Sequence, residues 1–365
     1  MRYNIVFSNR KVLLAMKKYL IPITLAVVVL GAYYLTNNST SASNTPQENK
    51  PDASSNMFDM QDGTTPINKQ KQNNSSAATI NTSNVAGYVY ISNSDSTTVS
   101  QCQVLQNSGA LGNCETTGSG FVAPNGINLV LSQNIAYIAN GGSNSISLCT
   151  INPQTGAFEN CQLTGSGFSN PSGIILDQQN SFAYITNQNS NSVSRCVLNS
   201  GDGSLSNCQQ ILDDLSAPTD INFGSNSVVY IANSNSDSIS ICTLHHKAGT
   251  LVNCQTTGNS LDSPQSVTAD ASGQFAYITN QVANSVSLCT ISTSNGLFEN
   301  CTPTGNGFNA PSDFSFSASH KLAYISNANS VSVCQVNQQN GTLSNCNNYN
   351  GNFNHSTGIR VNASI

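Results

Sequence analysis

The sequence predicts an all-β fold. It is a single six-bladed β-propeller of four-stranded antiparallel blades, closed by a C-terminal strand that joins the N-terminal blade. A signal or transmembrane segment and a disordered linker precede it. Three observations lead to this reading. Six cysteine pairs recur at a near-constant interval, each interval holds four strand-like runs, and the last run of the chain supplies what the first copy lacks.

The pairs are Cys102/Cys114, Cys149/Cys161, Cys196/Cys208, Cys242/Cys254, Cys289/Cys301 and Cys334/Cys346, each with eleven residues between, and their first members recur every 45 to 47 residues. A period of about 40–50 residues marks a repeat architecture, and four strands per unit make that architecture a propeller. One copy shows the four runs: Ser172–Gln178 (A), Phe182–Asn187 (B), Ser192–Leu198 (C) and Ser204–Ile211 (D). Each is short, rich in β-branched or aromatic residues, and bounded by Gly, Asn and Ser. No stretch of this region holds a 3.6-residue apolar period beyond a turn, which excludes helices.

The C–D connection explains the cysteine spacing. A glycine stands five places before every second cysteine (Gly109, Gly156, Gly203, Gly249, Gly296, Gly341) and a hydrophobe follows two places later. Glycine takes the positive φ of a hairpin turn without steric cost. Reversal there sets the two cysteines opposite each other on adjacent strands, with Cα atoms roughly 4.5–5.5 Å apart and within disulfide reach. Six bridges are expected, one per blade, each tying outer strand D to strand C and contributing ~2–3 kcal/mol in the chain-entropy model. Zinc is disfavoured, because the repeat holds no Cys-x2-Cys and no companion histidine.

The first copy begins at strand B (Gly87–Asn93), with no strand A before it, while Ser356–Ile365 matches Pro171–Asn180, the segment that holds the strand A quoted above. The tail therefore completes the first blade. Six B–C–D sets and six A strands make six blades with nothing left over.

"YITN" at Tyr184–Asn187 and Tyr277–Asn280, followed by Ser-Val-Ser and preceded in the first case by "PSG", resembles the YVTN-type β-propeller repeat of bacterial and archaeal surface and exported proteins, a relative of lactonase-like propellers. The resemblance covers about residues 86–365 and implies the propeller fold. It implies activity only weakly, since propellers host many functions. The family often has seven blades where six are counted here, and the cysteine pairs are not part of its motif. None of its catalytic residues finds a match in this chain.

Residues 1–36 carry Arg2, Arg10, Lys11, Lys17 and Lys18 and then the apolar run Tyr19–Leu35. This is the layout of a cleaved signal peptide or of a signal anchor. The run's 17 residues stand at the short limit for a spanning helix, so both fates remain open. Met16 opens a compact signal by itself, and Thr40–Ala42 offers a cleavage site. Residues 37–85 are a Ser/Asn/Thr-rich linker too poor in apolar residues to fold. The expected organisation is 1–36 signal or anchor, 37–85 linker and 86–365 propeller, on the outer side of the cytoplasmic membrane: periplasmic and inner-membrane-anchored, or secreted to the cell surface.

Charged residues are 8% of the chain and the formal net charge is -5, which gives no basic field for nucleic acid. Six tyrosines (Tyr90, Tyr137, Tyr184, Tyr230, Tyr277, Tyr324) share one strand-B position, as expected for packing between blades. Six asparagines end strand B and should bond the backbone of the following turn. An asparagine also precedes every second cysteine, and spacing alone gives no physical account of it.

Function in a symmetric ring belongs to residues that do not repeat. The D–A links begin Pro-Asn-Gly, Pro-Ser-Gly, Pro-Thr-Asp, Pro-Gln-Ser and Pro-Ser-Asp, so Asp220 and Asp313 break a small-residue pattern and are candidate ligand contacts at the mouth of the central channel. Paired carboxylates there can hold a cation or act as acid and base; turn capping is the plainer role for them. His245, His246, His320 and His355 do not cluster in sequence, and no nucleophile motif or phosphate-binding loop appears. No catalytic set, metal or cofactor is expected. The expected function is a non-enzymatic binding or scaffold domain, exported or membrane-tethered, for protein or glycan partners in the cell envelope or outside the cell. The alternative is a lactonase-like hydrolase with its site at the channel mouth.

Overall fold

In the computed structural model, residues 84–365 apart from 178, 180 and 259 are described; the signal and linker expectations lie almost wholly outside them. Six four-stranded antiparallel sheets make up this region. The first blade holds β1 (Val85–Asn93), β2 (Thr98–Leu105) and β3 (Leu111–Thr117). The second is β4 (Pro124–Val130), β5 (Ile135–Asn140), β6 (Ser145–Ile151) and β7 (Phe158–Thr164). The third is β8 (Pro171–Asp177), β9 (Phe182–Asn187), β10 (Ser192–Leu198) and β11 (Leu205–Leu212). The fourth is β12 (Pro218–Phe223), β13 (Val228–Asn233), β14 (Ser238–His245) and β15 (Thr250–Thr257). The fifth is β16 (Pro264–Ala269), β17 (Phe275–Asn280), β18 (Ser285–Ile291) and β19 (Phe298–Thr304). The sixth is β20 (Asp313–Phe316), β21 (Leu322–Asn327), β22 (Ser330–Val336) and β23 (Leu343–Asn350). The chain then ends in β24 (Ser356–Ala363), which pairs with β1 from Gly87↔Ala363 to Asn93↔Ser356 and completes the first blade. The inner strands β24, β4, β8, β12, β16 and β20 touch in succession around the ring, and β20 meets β24 again.

All six disulfides form with the partners the spacing predicts: Cys102–Cys114, Cys149–Cys161, Cys196–Cys208, Cys242–Cys254, Cys289–Cys301 and Cys334–Cys346. No described cysteine is free. The expected placement of the second cysteines needs correction. Five of them do not face their partners squarely across flat strands, and at all six bridges the Cα atoms lie 3.9–4.0 Å apart, closer than the expected spacing. A register shift accompanies every bridge, where strand D spends an extra residue. In the second blade Leu148 faces Gln162 while Thr150 faces Glu159, so Cys161 sits inside the bulge rather than in register with Cys149. Cys208, Cys254, Cys301 and Cys346 sit in the same bulge of their own blades. Cys114 alone stays in register with Cys102, and the shift follows it.

The two ends of each bridge also differ in burial. The strand-C cysteines are at most 1% exposed. Of the strand-D cysteines, Cys114, Cys161, Cys208, Cys301 and Cys346 are only partly buried, packed on the margin of the core, and Cys254 is exposed. Each bridge thus anchors an outer edge to a buried sulfur.

The bulge accounts for the asparagine before the second cysteine. Asn160, Asn207, Asn253, Asn300 and Asn345 all have φ between 46° and 52°. Among residues with a Cβ, asparagine enters that left-handed region most readily. Asn113 of the first blade is the exception, in keeping with the in-register Cys114, and bonds Glu115 with its side chain instead.

The strand-B tyrosines join blade to blade, as expected. Tyr90, Tyr137, Tyr230, Tyr277 and Tyr324 are buried and donate to the carbonyls of Gly156, Gly203, Gly296, Gly341 and Gly109, the hairpin glycine of the next blade in each case, at 2.5–3.2 Å. The Tyr324–Gly109 bond crosses the seam between the last blade and the first. Between the third and fourth blades the pattern breaks. There Arg195 donates to the carbonyl of Ala248, and the buried Tyr184 hydroxyl has no partner among the described residues.

The asparagines that end strand B depart from the expected turn capping: among the described residues Asn93 alone bonds the backbone ahead of it, donating to the Thr98 carbonyl at 3.3 Å. Each donates its amide to a strand-C serine, as Asn140 does to Ser147 at 2.9 Å. Each also accepts, at 3.1–3.3 Å, a backbone N–H from the D–A link that enters its blade: Asn354, Val122, Ser169, Ser216, Asp262 and Asn309 in turn. These links form the rim of the channel, so the asparagines set its shape.

The tyrosine pattern separates two substitutions that look alike in sequence. Tyr277→Phe leaves the Gly341 carbonyl unpaired and should lower stability by about 1 kcal/mol. Tyr184→Phe removes a hydroxyl that bonds nothing described and should leave stability unchanged or raise it. Calorimetric unfolding of the two variants with disulfides intact measures the difference.

Candidate functional site

The mouth of the channel, at the end carrying the D–A links, is a cavity of about 390 Å³. Its lining is serine, threonine, asparagine, glutamine and glycine throughout, apart from four residues: Asp220, Asp313, Arg360 and His355. The inner strands explain this. At the third position of strand A the six copies read Gly126, Gly173, Asp220, Ser266, Asp313 and Gly358. The three glycines sit on adjacent strands β24, β4 and β8, where the backbones come close. A Cβ at Gly358 would lie 2.3 Å from the Asn125 carbonyl oxygen, and one at Gly126 would lie 2.3 Å from that of Ser172. The other half of the ring, β12, β16 and β20, carries side chains. The channel is therefore lopsided, with its acids on one side.

Asp220 and Asp313 line this one cavity although they come from different blades. Both are buried, at 6% and 5% exposure. Neither only caps a turn. Asp220 Oδ2 accepts the N–H of Val267 in the next blade at 3.2 Å. Asp313 Oδ2 accepts the N–H of Ile359 at 2.8 Å and Arg360 Nη1–H at 2.7 Å, and its Oδ1 accepts the N–H of Phe314 at 2.7 Å. Arg360 Nη1 also donates to the Ile359 carbonyl at 2.7 Å, which fixes the guanidinium against the strand.

The electrostatics follow from burial and charge. Loss of water and then the negative charge of Asp313 push Asp220 up to about 7; Arg360 and the Val267 and Ile221 N–H groups oppose the rise. Burial raises Asp313 as well, while Arg360 and two backbone N–H groups pull it back. The two carboxyls hold Arg360 firmly protonated. Asp313 and Arg360 thus form a bonded pair. Asp220 has no cation bonded to it among the described residues, and it exchanges its proton near neutrality.

Arg360 is the residue that sequence reasoning missed. The signal existed: the fifth position of strand A reads Asn128, Ile175, Asn222, Thr268 and Ser315 in the other copies, so Arg360 is a lone charge. His355 also lines the cavity, exposed and 3.4 Å from Asp95. His320 packs at a tilt against Phe316 at an A–B turn beside a second cavity of about 370 Å³, and His246 lies on a C–D hairpin.

The family described as "Lactonase, 7-bladed beta-propeller" matches residues 39–165, 162–269 and 263–352, and the chain belongs to it. Its ring has six blades where the family's description has seven. No curated protein matches it in sequence. Among solved structures it is similar to the periplasmic gluconolactonase PpgL of Pseudomonas aeruginosa, at 13% identity and TM-score 0.55 over 72% of this chain and 79% of that one. It is similar also to a candidate 6-phosphogluconolactonase of Bacteroides uniformis, at 15% identity and TM-score 0.54 over 74% and 83%. A chain of the nidogen/laminin complex aligns at 14% identity and TM-score 0.60 over 76% and 98%. At these identities the likeness is one of fold. Six disulfides in one domain point to an oxidising, extracytoplasmic compartment.

A carboxyl whose folded pKa exceeds its unfolded value stabilises the fold fully only at acid pH, and that stability is lost as pH rises through the folded pKa. For Asp220 the window runs from about 4 to about 7. Asp220→Asn should therefore raise the melting temperature at pH 8 and leave it nearly unchanged at pH 4. Thermal scans of both proteins at the two pH values check the sign.

Proposed function

We propose that the protein is an extracytoplasmic hydrolase of compact, polar lactones, acting at the channel mouth. The observation that carries this reading is the Asp220–Asp313–Arg360 cluster inside a cavity lined by polar residues and glycine in a lactonase-family ring. The chemistry needed is attack of water on a cyclic ester. Ionised Asp220 takes a proton from the water as its oxygen bonds the lactone carbonyl carbon. The positive charge of Arg360 stabilises the oxyanion that forms. Collapse breaks the ring C–O bond, and the leaving oxygen takes the proton from Asp220. The product is the open hydroxy acid. Asp313 orients Arg360 and, by its charge, keeps Asp220 basic near pH 7. Hydroxyl and amide groups around the wall suit a substrate rich in hydroxyls.

The expectation of a non-enzymatic scaffold, drawn from the nearly uncharged composition, the linker, the bridges and the missing catalytic set, gives way to the hydrolase because the family and the buried cluster both favour it. The YVTN-type character of the repeats and membrane tethering through residues 1–36 are likewise proposals.

The test is hydrolysis of D-glucono-1,5-lactone followed by pH-stat, corrected for the spontaneous reaction. The rate should rise with pH around a midpoint near 7, as Asp220 ionises. Asp220→Asn should reduce kcat by about 10²–10⁴, the usual worth of a general base. Asp313→Asn should move the midpoint to lower pH, because a negative neighbour is gone, and Arg360→Gln should move it up. A wild-type rate equal to that of the Asp220→Asn protein across a panel of sugar and aliphatic lactones would leave the scaffold reading, with a protein or glycan partner, in its place.

A further inference from the structure

A second set of residues breaks the sixfold repeat, on the face of the ring that carries the A–B and C–D turns, between the third and fourth blades. Asp177 closes β8 and is buried at 9% exposure. His246 stands just past β14, on the C–D hairpin of the fourth blade, with its side chain half exposed. Ser227 stands just before β13, in the A–B turn of the same blade. Asp177 Oδ2 lies 3.4 Å from His246 Nδ1, and His246 Nε2 lies 2.7 Å from Ser227 Oγ. The acid meets one ring nitrogen and the hydroxyl meets the other. With the proton on Nδ1 facing the carboxylate, Nε2 is the acceptor for the serine proton. This is the order of contacts that activates a serine nucleophile. Ser227 has φ 64°, a left-handed turn conformation, and its carbonyl accepts the Leu244 N–H at 2.7 Å, which ties the turn to the base of the histidine's hairpin.

The repeat supplies its own control. Ser181 occupies the same turn position in the third blade, with φ 57° and its carbonyl bonded to the Leu198 N–H. Its hairpin carries Ser200 where the fourth blade has His246. Backbone geometry is thus shared by the two serines, and only one faces an imidazole.

We infer that Ser227, His246 and Asp177 form a second reactive centre, an acyl-accepting serine that cleaves unhindered carboxylic esters where the turns of the third and fourth blades meet. Ser227 Oγ bonds the ester carbonyl carbon as His246 Nε2 takes its proton. The alkoxide leaves with that proton as an alcohol. Water then attacks the acyl-serine, His246 again carrying the proton, and releases the carboxylic acid and the free serine. Asp177 acts as a positioning residue that holds the ring in the productive tautomer.

The probe is a small alkyl fluorophosphonate, which phosphonylates activated serines with loss of fluoride. The folded, disulfide-intact full chain is incubated with it and its peptides are mapped by mass spectrometry. One adduct is expected on Ser227 and none on Ser181. His246→Gln, a change on a half-exposed hairpin, should slow labelling at least a hundredfold. Asp177→Asn should lower the maximal labelling rate at least tenfold while the half-saturating probe concentration stays the same. Ser227→Gly, which the positive φ accommodates, should abolish the adduct. The inference is overturned if the native protein takes no adduct at Ser227, if Ser181 reacts equally fast, or if His246→Gln labels at the native rate.

Discussion

The pairing of β24 with β1 is the constraint on which the rest of the molecule depends. Without it, β1 would present a row of unpaired N–H and C=O groups along the channel, and the sixth blade would end on an open flank. With it, the seam is built like every other junction. Tyr324 reaches across to Gly109 as Tyr277 reaches to Gly341, and β20 touches β24 as β16 touches β20. Closure also completes the candidate site. Asp313 belongs to the sixth blade, and the N–H of Ile359 and the guanidinium of Arg360 that bind it come from the tail strand. A ring left open would lose its cation along with its seam.

Closing a ring with six blades brings the inner strands near one another, and the chain answers differently on the two sides. On β24, β4 and β8 it places glycines where a Cβ would collide with the neighbouring backbone. On β12, β16 and β20 it places Asp220, Ser266 and Asp313 at the same position. The carboxylates there reach across to backbone N–H groups of the next blade, so each acid also serves as a tie between sheets. Structure and candidate chemistry share these residues, and plain capping is too small a description of them.

Strands, turns and bridges are legible in the sequence because each repeats six times. A hydrophobe pattern, a hairpin glycine and a cysteine spacing that agree in six copies leave little freedom for another fold. The tail strand can be read because its ten residues match another strand A. Legibility fails where a feature depends on register or on neighbours far along the chain. The spacing names the partner of Cys161 or Cys346 but not the bulge that holds it, because a bulge leaves no mark in residue spacing. The asparagine before the second cysteine is obscure for the same reason. Arg360 escapes notice when the tail is matched on its apolar positions, Ile359 and Val361, and the charge between them goes unused. Asp177, Ser227 and His246 lie in three separate turns or strand ends; the fold of the fourth blade joins the last two, and the packing of the third blade on the fourth brings in the first.

Scarcity of charge gives the few buried charges their leverage. With 8% charged residues in the chain and one cation beside two acids in the cavity, the field at Asp220 is set by Asp313 and Arg360 and by little else. Few nearby charges compete with these two, and low polarisability inside the ring strengthens each interaction. A carboxyl held near neutrality in this way destabilises the fold above that pH, and such a group persists only where the surroundings over-determine its position. Here they do so at both edges of the blade. The asparagines that end strand B fix the channel rim to the second and third strands, and the bridges fix the third strand to the fourth. Rigidity is thus concentrated in the repeating residues, and the few non-repeating ones carry the buried charge.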